Sequence, residues 1–298
     1  MDTYHLNDEE REQYRREGYI VAESVFSAAD LAPIENAIQE LTDRALTEGP
    51  QCSYLELEPE AVDGRRVPRR IYSPYDQHEA FRKIASDARI LHRIESLIGS
   101  SFNLHHSKLN MKPARVGSPV EWHQDLAFFP HTNDDLVTTL IYLDEATVEN
   151  GCLQVLPRQH SHYFNHALPD GTFSGMITED IPSGRFGRPV PLPAPAGSVI
   201  FMHCVTPHSS LPNQSDRARR TFIFEYRAAD AFPIYYGPQT MEDEKGVRTL
   251  CGKPARFARF GGPAPLMPNH TGPTPIYDLQ LQAKAKLMSM GKSNPINS

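Results

Sequence analysis

The stretch EWHQDLAFF, residues 121–129, places His123 and Asp125 two positions apart in an apolar and aromatic setting. On a β-strand, side chains two residues apart point to the same face. We therefore expect the imidazole and the carboxylate to enter one cavity. By themselves they form either a structural hydrogen-bonded pair or two ligands of a metal site, and only the rest of the sequence distinguishes these alternatives.

Short segments with the alternation or apolar character of β-strands surround this stretch, separated by turns that contain Pro and Gly. They cover residues 101–112, 120–129, 136–146, 149–157, 189–210 and 219–227. The six to eight strands they contain predict a mainly β fold with flanking helices, specifically the double-stranded β-helix, or jelly roll, of cupin-like proteins.

The domain prediction is a single domain of residues 1–298. We expect a mainly helical part at 1–100, the jelly-roll core at 101–228, and a C-terminal wrap with a flexible tail at 229–298. The chain has 26 prolines and 18 glycines, which favours short elements joined by many loops over a helical bundle.

Helical periodicity is strongest in the first fifty residues, where Asn7 or Asp8 and then Ser27 are candidate N-terminal caps. Further helices are expected at 79–86, 88–98 and 278–290. Residues 47–75 break this pattern and are expected to form a loop, in which the basic cluster RRVPRR, residues 65–70, is interpreted as solvated rather than as a binding site for an anion.

The charge and the termini exclude several classes of protein. A formal net charge of −7 without a basic stripe is not typical of a nucleic-acid-binding protein. No apolar segment approaches membrane-spanning length, and the N-terminus is polar and unlike a signal peptide. We expect neither a nucleic-acid nor a membrane partner. The four dispersed cysteines suit a reducing, cytoplasmic location, and oligomeric state is left open.

A metal site would need a third ligand. The facial triad of two histidines and one carboxylate holds Fe(II) on one side and leaves open positions for substrate and dioxygen. The segment FMHCVTPHSS offers His203 and His208. Eleven residues beyond His208 stands Arg219, whose guanidinium can bind a carboxylate through two parallel hydrogen bonds. Arg220 competes with it, but neighbours on a strand face opposite sides, so only one can enter the pocket.

Four motifs occur in order between about residues 102 and 227. They are SKLNMKP at 107–113, WHQD at 122–125, ENGCLQVLPRQH at 149–160, and HSSLPN at 208–213 with Arg219 beyond. In this order and spacing they resemble the phytanoyl-CoA dioxygenase family of Fe(II)/2-oxoglutarate-dependent oxygenases. The first motif is similar to that of ectoine hydroxylases, but LAFFP after the metal motif departs from them and does not support ectoine as the substrate.

The resemblance implies an enzyme that uses Fe(II), 2-oxoglutarate and O₂. It implies His123, Asp125 and His208 as the iron ligands and Arg219 as the anchor for the C5 carboxylate of 2-oxoglutarate. His203 is then a core residue, because choosing it as a ligand would lose the family spacing to Arg219.

Four further residues match pocket positions of the family. Asn110 matches a position near the C1 carboxylate of 2-oxoglutarate, Lys108 and His106 match positions that face the pocket, and Phe129 matches an aromatic side chain near the iron. The implied reaction is hydroxylation of an unactivated C–H bond of a small molecule, with conversion of 2-oxoglutarate to succinate and CO₂. The carboxylate of Asp125 favours hydroxylation over halogenation, because related halogenases lack it.

Two other functions are compatible with the same fold. One is a cupin-type metalloenzyme that does not use 2-oxoglutarate, which loss of Arg219 would distinguish. The other is a non-catalytic binding module, which the intact triad disfavours. The substrate is expected to be a small molecule, in natural product biosynthesis, selected by residues 47–75, residues 162–187 and the segment after Ala229.

Overall fold

The structure is a computed structural model that describes residues 4–49, 52–62, 65–181, 183–234, 248–263 and 274–290, apart from the side chains of 59–66. Its helices are α1 Asp8–Glu17, α2 Ala28–Glu48, α3 Pro74–Gln77, α4 Glu79–Ala85, α5 Ala88–Ile98 and α6 Ile276–Ser289. Its strands are β1 Tyr19–Ala22, β2 Leu55–Val62, β3 Arg65–Tyr72, β4 Phe102–Lys112, β5 Val120–His123, β6 Leu136–Tyr142, β7 Leu153–Val155, β8 Val190–Pro191, β9 Val199–His203, β10 His208–Ser210, β11 Arg219–Ala228 and β12 Arg248–Cys251. Of the predicted C-terminal wrap and flexible tail at 229–298, residues 235–247, 264–273 and 291–298 lie outside the described residues.

Two antiparallel sheets form the centre of the protein. The larger has the order β1-β9-β6-β11-β4-β3-β2, with β12 also paired to β4, and the smaller has the order β5-β10-β7-β8. Apart from the hairpin of β2 and β3, most neighbours in the two sheets come from distant parts of the chain, as a jelly roll requires. The prediction of a mainly β jelly roll with flanking helices is confirmed.

Strand β11 shows how the larger sheet separates two environments. Phe222, Phe224 and Tyr226 pack in one cluster with the apolar faces of α2, α4 and α5. Ile223, on the opposite face, packs with residues of the smaller sheet. Each buried aromatic side chain contributes about 1.5–3 kcal/mol, so the helices stabilise the sheet that carries the site.

The two predicted N-terminal helices are confirmed, together with their caps. Asn7 accepts a hydrogen bond from the backbone N–H of Glu10, whose carboxylate in turn accepts from the backbone N–H of Asn7. Ser27 and Asp30 form the same reciprocal pair at the start of α2. These side chains bind backbone N–H groups that the first helical turn leaves without partners.

The expectation of a loop at residues 47–75 was wrong, because β2 and β3 lie there and extend the larger sheet. The basic cluster within it is strand β3 and not a solvated loop. Arg69 and Arg70 are only 6% and 5% exposed, and their guanidiniums lie over the ring of Tyr277 in α6. Tertiary partners therefore bury charges that a local pattern assigns to solvent.

Two shorter strands were also missed. Residues 19–22, within the part expected to be helical, form β1 and pair with β9 at the edge of the larger sheet. Residues 248–251 form β12 and pair with β4. Both are four residues long, too short for a reliable alternation pattern.

The turn before β9 requires glycine. Gly197 has φ +81°, and a Cβ there would lie 1.8 Å from the carbonyl oxygen of Phe26. We expect Gly197→Ala to lower the free energy of unfolding by about 2–4 kcal/mol, because a left-handed backbone and overpacking both add cost. Urea denaturation measures the change.

Gly171 is the matched control. It has φ +84°, but a Cβ there would have nothing within 4 Å. Gly171→Ala therefore tests the backbone cost alone, about 1–2 kcal/mol. Equal losses for the two variants would contradict a clash at Phe26.

Candidate active site

The pairing of β5 with β10 brings two histidines together. His123 is the register partner of His208, and their ring centroids are 4.1 Å apart. Each lies at an end of its strand, where both side chains are buried, 4% and 6% exposed. Backbone pairing thus fixes the separation of two imidazoles that are 85 residues apart in the chain.

Backbone carbonyls set the tautomer of both rings. Nδ1 of His123 lies 2.7 Å from the oxygen of Glu121, and Nδ1 of His208 lies 3.0 Å from the oxygen of Thr206. A carbonyl only accepts, so each Nδ1 carries the proton and each Nε2 keeps its lone pair. Burial lowers the pKa of both imidazoles, which favours the neutral form that a metal ligand needs.

Asp125 completes the cluster from a position that the strand pattern did not predict. Strand β5 ends at His123, and Asp125 begins a short 3-10 turn, Asp125–Ala127. Same-face alternation is therefore not the reason that the two side chains meet. Oδ1 of Asp125 nevertheless lies 3.8 Å from Nε2 of each histidine, and the three potential ligand atoms lie within 4.8 Å of one another.

Gln124 fixes the point at which strand changes to turn. Its side-chain amide donates to the carbonyl oxygens of His162 and Val205, both at 2.7 Å, and its side-chain oxygen accepts from the N–H of Phe164. Val205 is three residues before His208. The residue between the first two members of the triad therefore holds the segment that carries the third.

A hydroxyl links Asp125 to a second buried acid. Oγ1 of Thr138 lies 2.7 Å from Oδ2 of Asp125 and 2.6 Å from Oε2 of Glu225. One hydroxyl has one proton, so it donates to one carboxyl group and accepts from the other, which must itself be protonated.

Glu225 is the protonated partner. Burial and the charge of Asp125 raise the pKa of Glu225. For Asp125, burial opposes ionisation, but His208 and Lys108 lower its pKa on balance. Glu225 thus donates to Thr138, Thr138 donates to Oδ2 of Asp125, and Oδ1 remains free for a metal.

A cavity opens from the triad along the inner face of β4 and β11, and its walls carry several basic side chains. Arg219 is 4% exposed and donates to the carbonyl oxygen of Gly151 and the hydroxyl of Thr221. Its Nε is buried without a partner, and burial lowers its pKa. No described carboxylate lies within ion-pair distance of Arg219, so its charge is free for an anionic ligand.

The competing residues lie elsewhere. Arg220 points away from the cavity and forms ion pairs with Asp144 and Glu35. His203 accepts a hydrogen bond from the N–H of Val205, and its Nε2 lies 3.8 Å from Asp134. The structure thus groups His208, and not His203, with the other two triad members.

The other four sequence-predicted residues divide into two pairs. Lys108 and Asn110 line the cavity, and Nζ of Lys108 lies 3.9 Å from Oδ1 of Asp125. His106 and Phe129 contact each other, with ring centroids 5.1 Å apart, and lie outside the set that lines this cavity.

Sequence reasoning missed five residues of the site. They are Arg70, Gln124, Thr138, Glu225 and Tyr277. A usable signal existed for two of them, since Thr138 in LVTTLIY and Glu225 in TFIFEYR are polar residues inside apolar strands.

Among the described residues, no helix is long and apolar enough to cross a membrane.

Two imidazole nitrogens and one carboxylate oxygen, buried on one side of a cavity, suit Fe(II). The jelly roll and this site together define a non-haem metalloenzyme of the facial-triad type. A model of the phytanoyl-CoA dioxygenase family matches residues 14–221, more than half of the chain. The protein therefore belongs to the phytanoyl-CoA dioxygenase family.

Individual relatives agree with this assignment. A probable alpha-ketoglutarate-dependent hypophosphite dioxygenase of Stutzerimonas stutzeri is 32% identical over 235 residues, which are 76% of this chain and 80% of that protein. A methylphosphonate hydroxylase of Gimesia maris is 24% identical over 259 residues, 86% of this chain and 95% of that protein. The crystal structure of EctD from S. alaskensis with 2-oxoglutarate and 5-hydroxyectoine has a TM-score of 0.64 and 26% identity, and the match covers 90% of this chain and 88% of that one. The protein is an Fe(II)/2-oxoglutarate-dependent dioxygenase.

Thr138 offers a test of the hydrogen-bond chain. Thr138→Val keeps the shape but leaves Oδ2 of Asp125 and the carboxyl group of Glu225 without their shared partner. We expect the affinity for Fe(II), or for Mn(II) as a redox-inactive substitute, to fall by about 10- to 100-fold. Anaerobic titration calorimetry measures it.

Thr139→Val is the control, because Thr139 donates to the carbonyl oxygen of Phe224 and does not contact the triad. Its metal affinity should equal that of the wild type. A normal affinity in Thr138→Val would show that Thr138 does not position Asp125.

Proposed function

We propose that the protein hydroxylates an unactivated C–H bond of a small molecule while 2-oxoglutarate is converted to succinate and CO₂. The observation that carries this proposal is a buried His–Asp–His cluster in one cavity with a buried arginine that has no carboxylate partner among the described residues. His123, Asp125 and His208 hold the iron, which supplies the oxidising chemistry with O₂ when it is bound.

Arg219 anchors the C5 carboxylate of 2-oxoglutarate. It lies on β11, where its register partner on β4 is Lys112, whereas Lys108, next to the metal cluster, pairs with Ile223. Four residues of strand span about 13 Å, so the arginine stands well beyond the metal, on the same sheet face. An extended dicarboxylate with one end at the metal and the other at a guanidinium fits this arrangement.

The protein's own contribution is orientation and exclusion of water. Thr138 and Glu225 keep Oδ1 of Asp125 directed at the metal. Phe128 packs edge-on against His123 and against Phe173, and forms an apolar wall beside the triad. A dry, preorganised site prevents reactive species from reaching solvent.

The names of the relatives support a small-molecule substrate. Hypophosphite and methylphosphonate are small phosphorus oxyanions, and the EctD structure contains 5-hydroxyectoine. Hydroxylation, as against halogenation, is supported by the carboxylate ligand, which occupies the position that a halide would need.

The role of Arg219 can be tested against its own neighbour. We expect Arg219→Met to raise the Kd for 2-oxoglutarate by about thirtyfold or more, because removing one partner of a buried charge pair costs roughly 2–5 kcal/mol. Arg220→Met, which loses only partly exposed ion pairs, should stay within about threefold of the wild type. Anaerobic titration of the Fe(II) protein, followed by the visible metal-to-ligand charge-transfer band, reads out both.

The same titration distinguishes the alternative functions. A wild-type protein that binds Fe(II) but shows no band with 2-oxoglutarate would be a metalloenzyme with another co-substrate. A protein that shows the band but forms no succinate with any substrate would be a binding module.

The choice of the second histidine ligand has its own test. His208→Ala should weaken metal binding by at least about 100-fold, because one of three ligands is lost, whereas His203→Ala should bind Fe(II) normally. Metal content after dialysis, together with calorimetry, measures this. If His203→Ala lost the metal and His208→Ala kept it, the second histidine ligand would be His203 and not His208.

A further inference from the structure

The cavity beside the triad carries more positive charge than the iron and the co-substrate require. Asp125 is the single acid among the described residues that line it, whereas Arg70, Lys108, Lys112 and Arg219 are basic. Buried charge without compensation is costly, so the excess predicts a further anionic ligand.

Lys112 is occupied by the fold. Its ammonium donates to the carbonyl oxygens of Ser118 and Leu211, at 2.7 and 2.6 Å, and the carboxylate of Glu58 interacts with it electrostatically. This lysine therefore fastens two loops to the end of β4 and is not available to a ligand.

The remaining charges divide into a balanced set and an excess. Fe(II), the carboxylate of Asp125 and the two carboxylates of 2-oxoglutarate together carry one negative charge, which Arg219 neutralises. Lys108 and Arg70 then add two positive charges. Among the described side chains, Asp125 is the single carboxylate within ion-pair distance of Lys108. No described carboxylate lies within ion-pair distance of Arg70.

The acids around the cavity do not supply the missing negative charge. Glu56 pairs with Arg69, and Glu121 pairs with Lys284. Glu225 and Asp125 share the single hydroxyl of Thr138, so one of the two carboxyl groups is protonated and together they carry only the one negative charge already counted.

Arg70 is held ready to bind a ligand. Its Nε donates to the side-chain oxygen of Asn110 at 2.9 Å, and its guanidinium lies over the rings of Tyr72 and Tyr277, 5.5 and 4.7 Å from their centroids. These contacts fix the plane of the guanidinium of Arg70, which is one of the residues that line the cavity. Lys108 lies two residues before Asn110, on the same face of β4 and closer to the triad.

We propose that Lys108 and Arg70 bind an oxyanion of the substrate, and that the enzyme selects small molecules of net negative charge over neutral ones. The proposal rests on the proposed function, because it assumes that Arg219 takes the co-substrate. The expected substrate is a small alkyl compound that carries an oxyanion, either a phosphonate or a carboxylate group. A phosphonate fits the excess more closely, because its two acidic oxygens can carry two negative charges, whereas a carboxylate carries one.

The test is anaerobic calorimetry on the protein loaded with Mn(II) and 2-oxoglutarate. It is titrated with methylphosphonate, with propionate, and with the neutral ester dimethyl methylphosphonate. At least one of the two oxyanions should bind and the ester should not. Tighter binding of methylphosphonate assigns a phosphonate substrate, and tighter binding of propionate assigns a carboxylate.

Variants assign the binding to the two cations. Lys108→Met and Arg70→Met should each weaken oxyanion binding by about thirtyfold or more and leave the 2-oxoglutarate affinity within about threefold. Lys83→Met, which removes an exposed lysine on α4, should leave both affinities unchanged. Mn(II) binding confirms that each variant is folded, and Lys108, at the cavity surface, is the variant less prone to misfold.

Three outcomes would overturn the inference and leave the proposed function intact. These are 2-oxoglutarate binding without binding of either oxyanion, equal binding of the ester, and loss of 2-oxoglutarate affinity in Lys108→Met or Arg70→Met. A wild-type protein that binds Mn(II) but not 2-oxoglutarate would instead contradict the proposed function itself.

Discussion

The site depends on one pairing, that of β5 with β10. It sets His123 opposite His208 and places the two Nε2 atoms at equal distances, 3.8 Å, from one oxygen of Asp125. Gln124 strengthens the pairing because its side chain bonds to the backbone that leads into β10. The metal ligands are thus fixed by main-chain geometry and do not depend on flexible side-chain choices, which is the condition for a preorganised metal site.

The larger sheet supports this pairing from the other side of the cavity. Its outer face is aromatic and packs on the helices, and its inner face carries the polar groups that the chemistry needs. A buried polar group is tolerated when its hydrogen bonds are satisfied, and the chain from Glu225 through Thr138 to Asp125 achieves this by keeping one acid protonated. The apolar pattern of β6 and β11 is interrupted at these positions because the site requires it.

The charge of the cavity is opposite to that of the protein. A chain of net charge −7 concentrates four basic side chains around one acidic triad member. Low-dielectric walls focus the field of such a cluster, so an anionic co-substrate is attracted into the cavity although the protein as a whole repels it. Tyr277 connects this cavity to the C-terminal helix, where its ring contacts both Arg69 and Arg70.

The sequence by itself determined the jelly-roll class, the helices with their caps, the metal triad as a candidate and the choice of Arg219 over Arg220. The helices and strands follow from local periodicity and capping residues, whereas the triad and Arg219 follow from motifs that are far apart in the chain but resemble one family in order and spacing. Tertiary structure alone decided that residues 65–72 form a strand, that Asp125 reaches the triad from a turn, and that Arg70 lies in the cavity. Each of these depends on partners distant in sequence, because a buried charge is stable only where a folded neighbour supplies its contacts, and no local pattern records that neighbour.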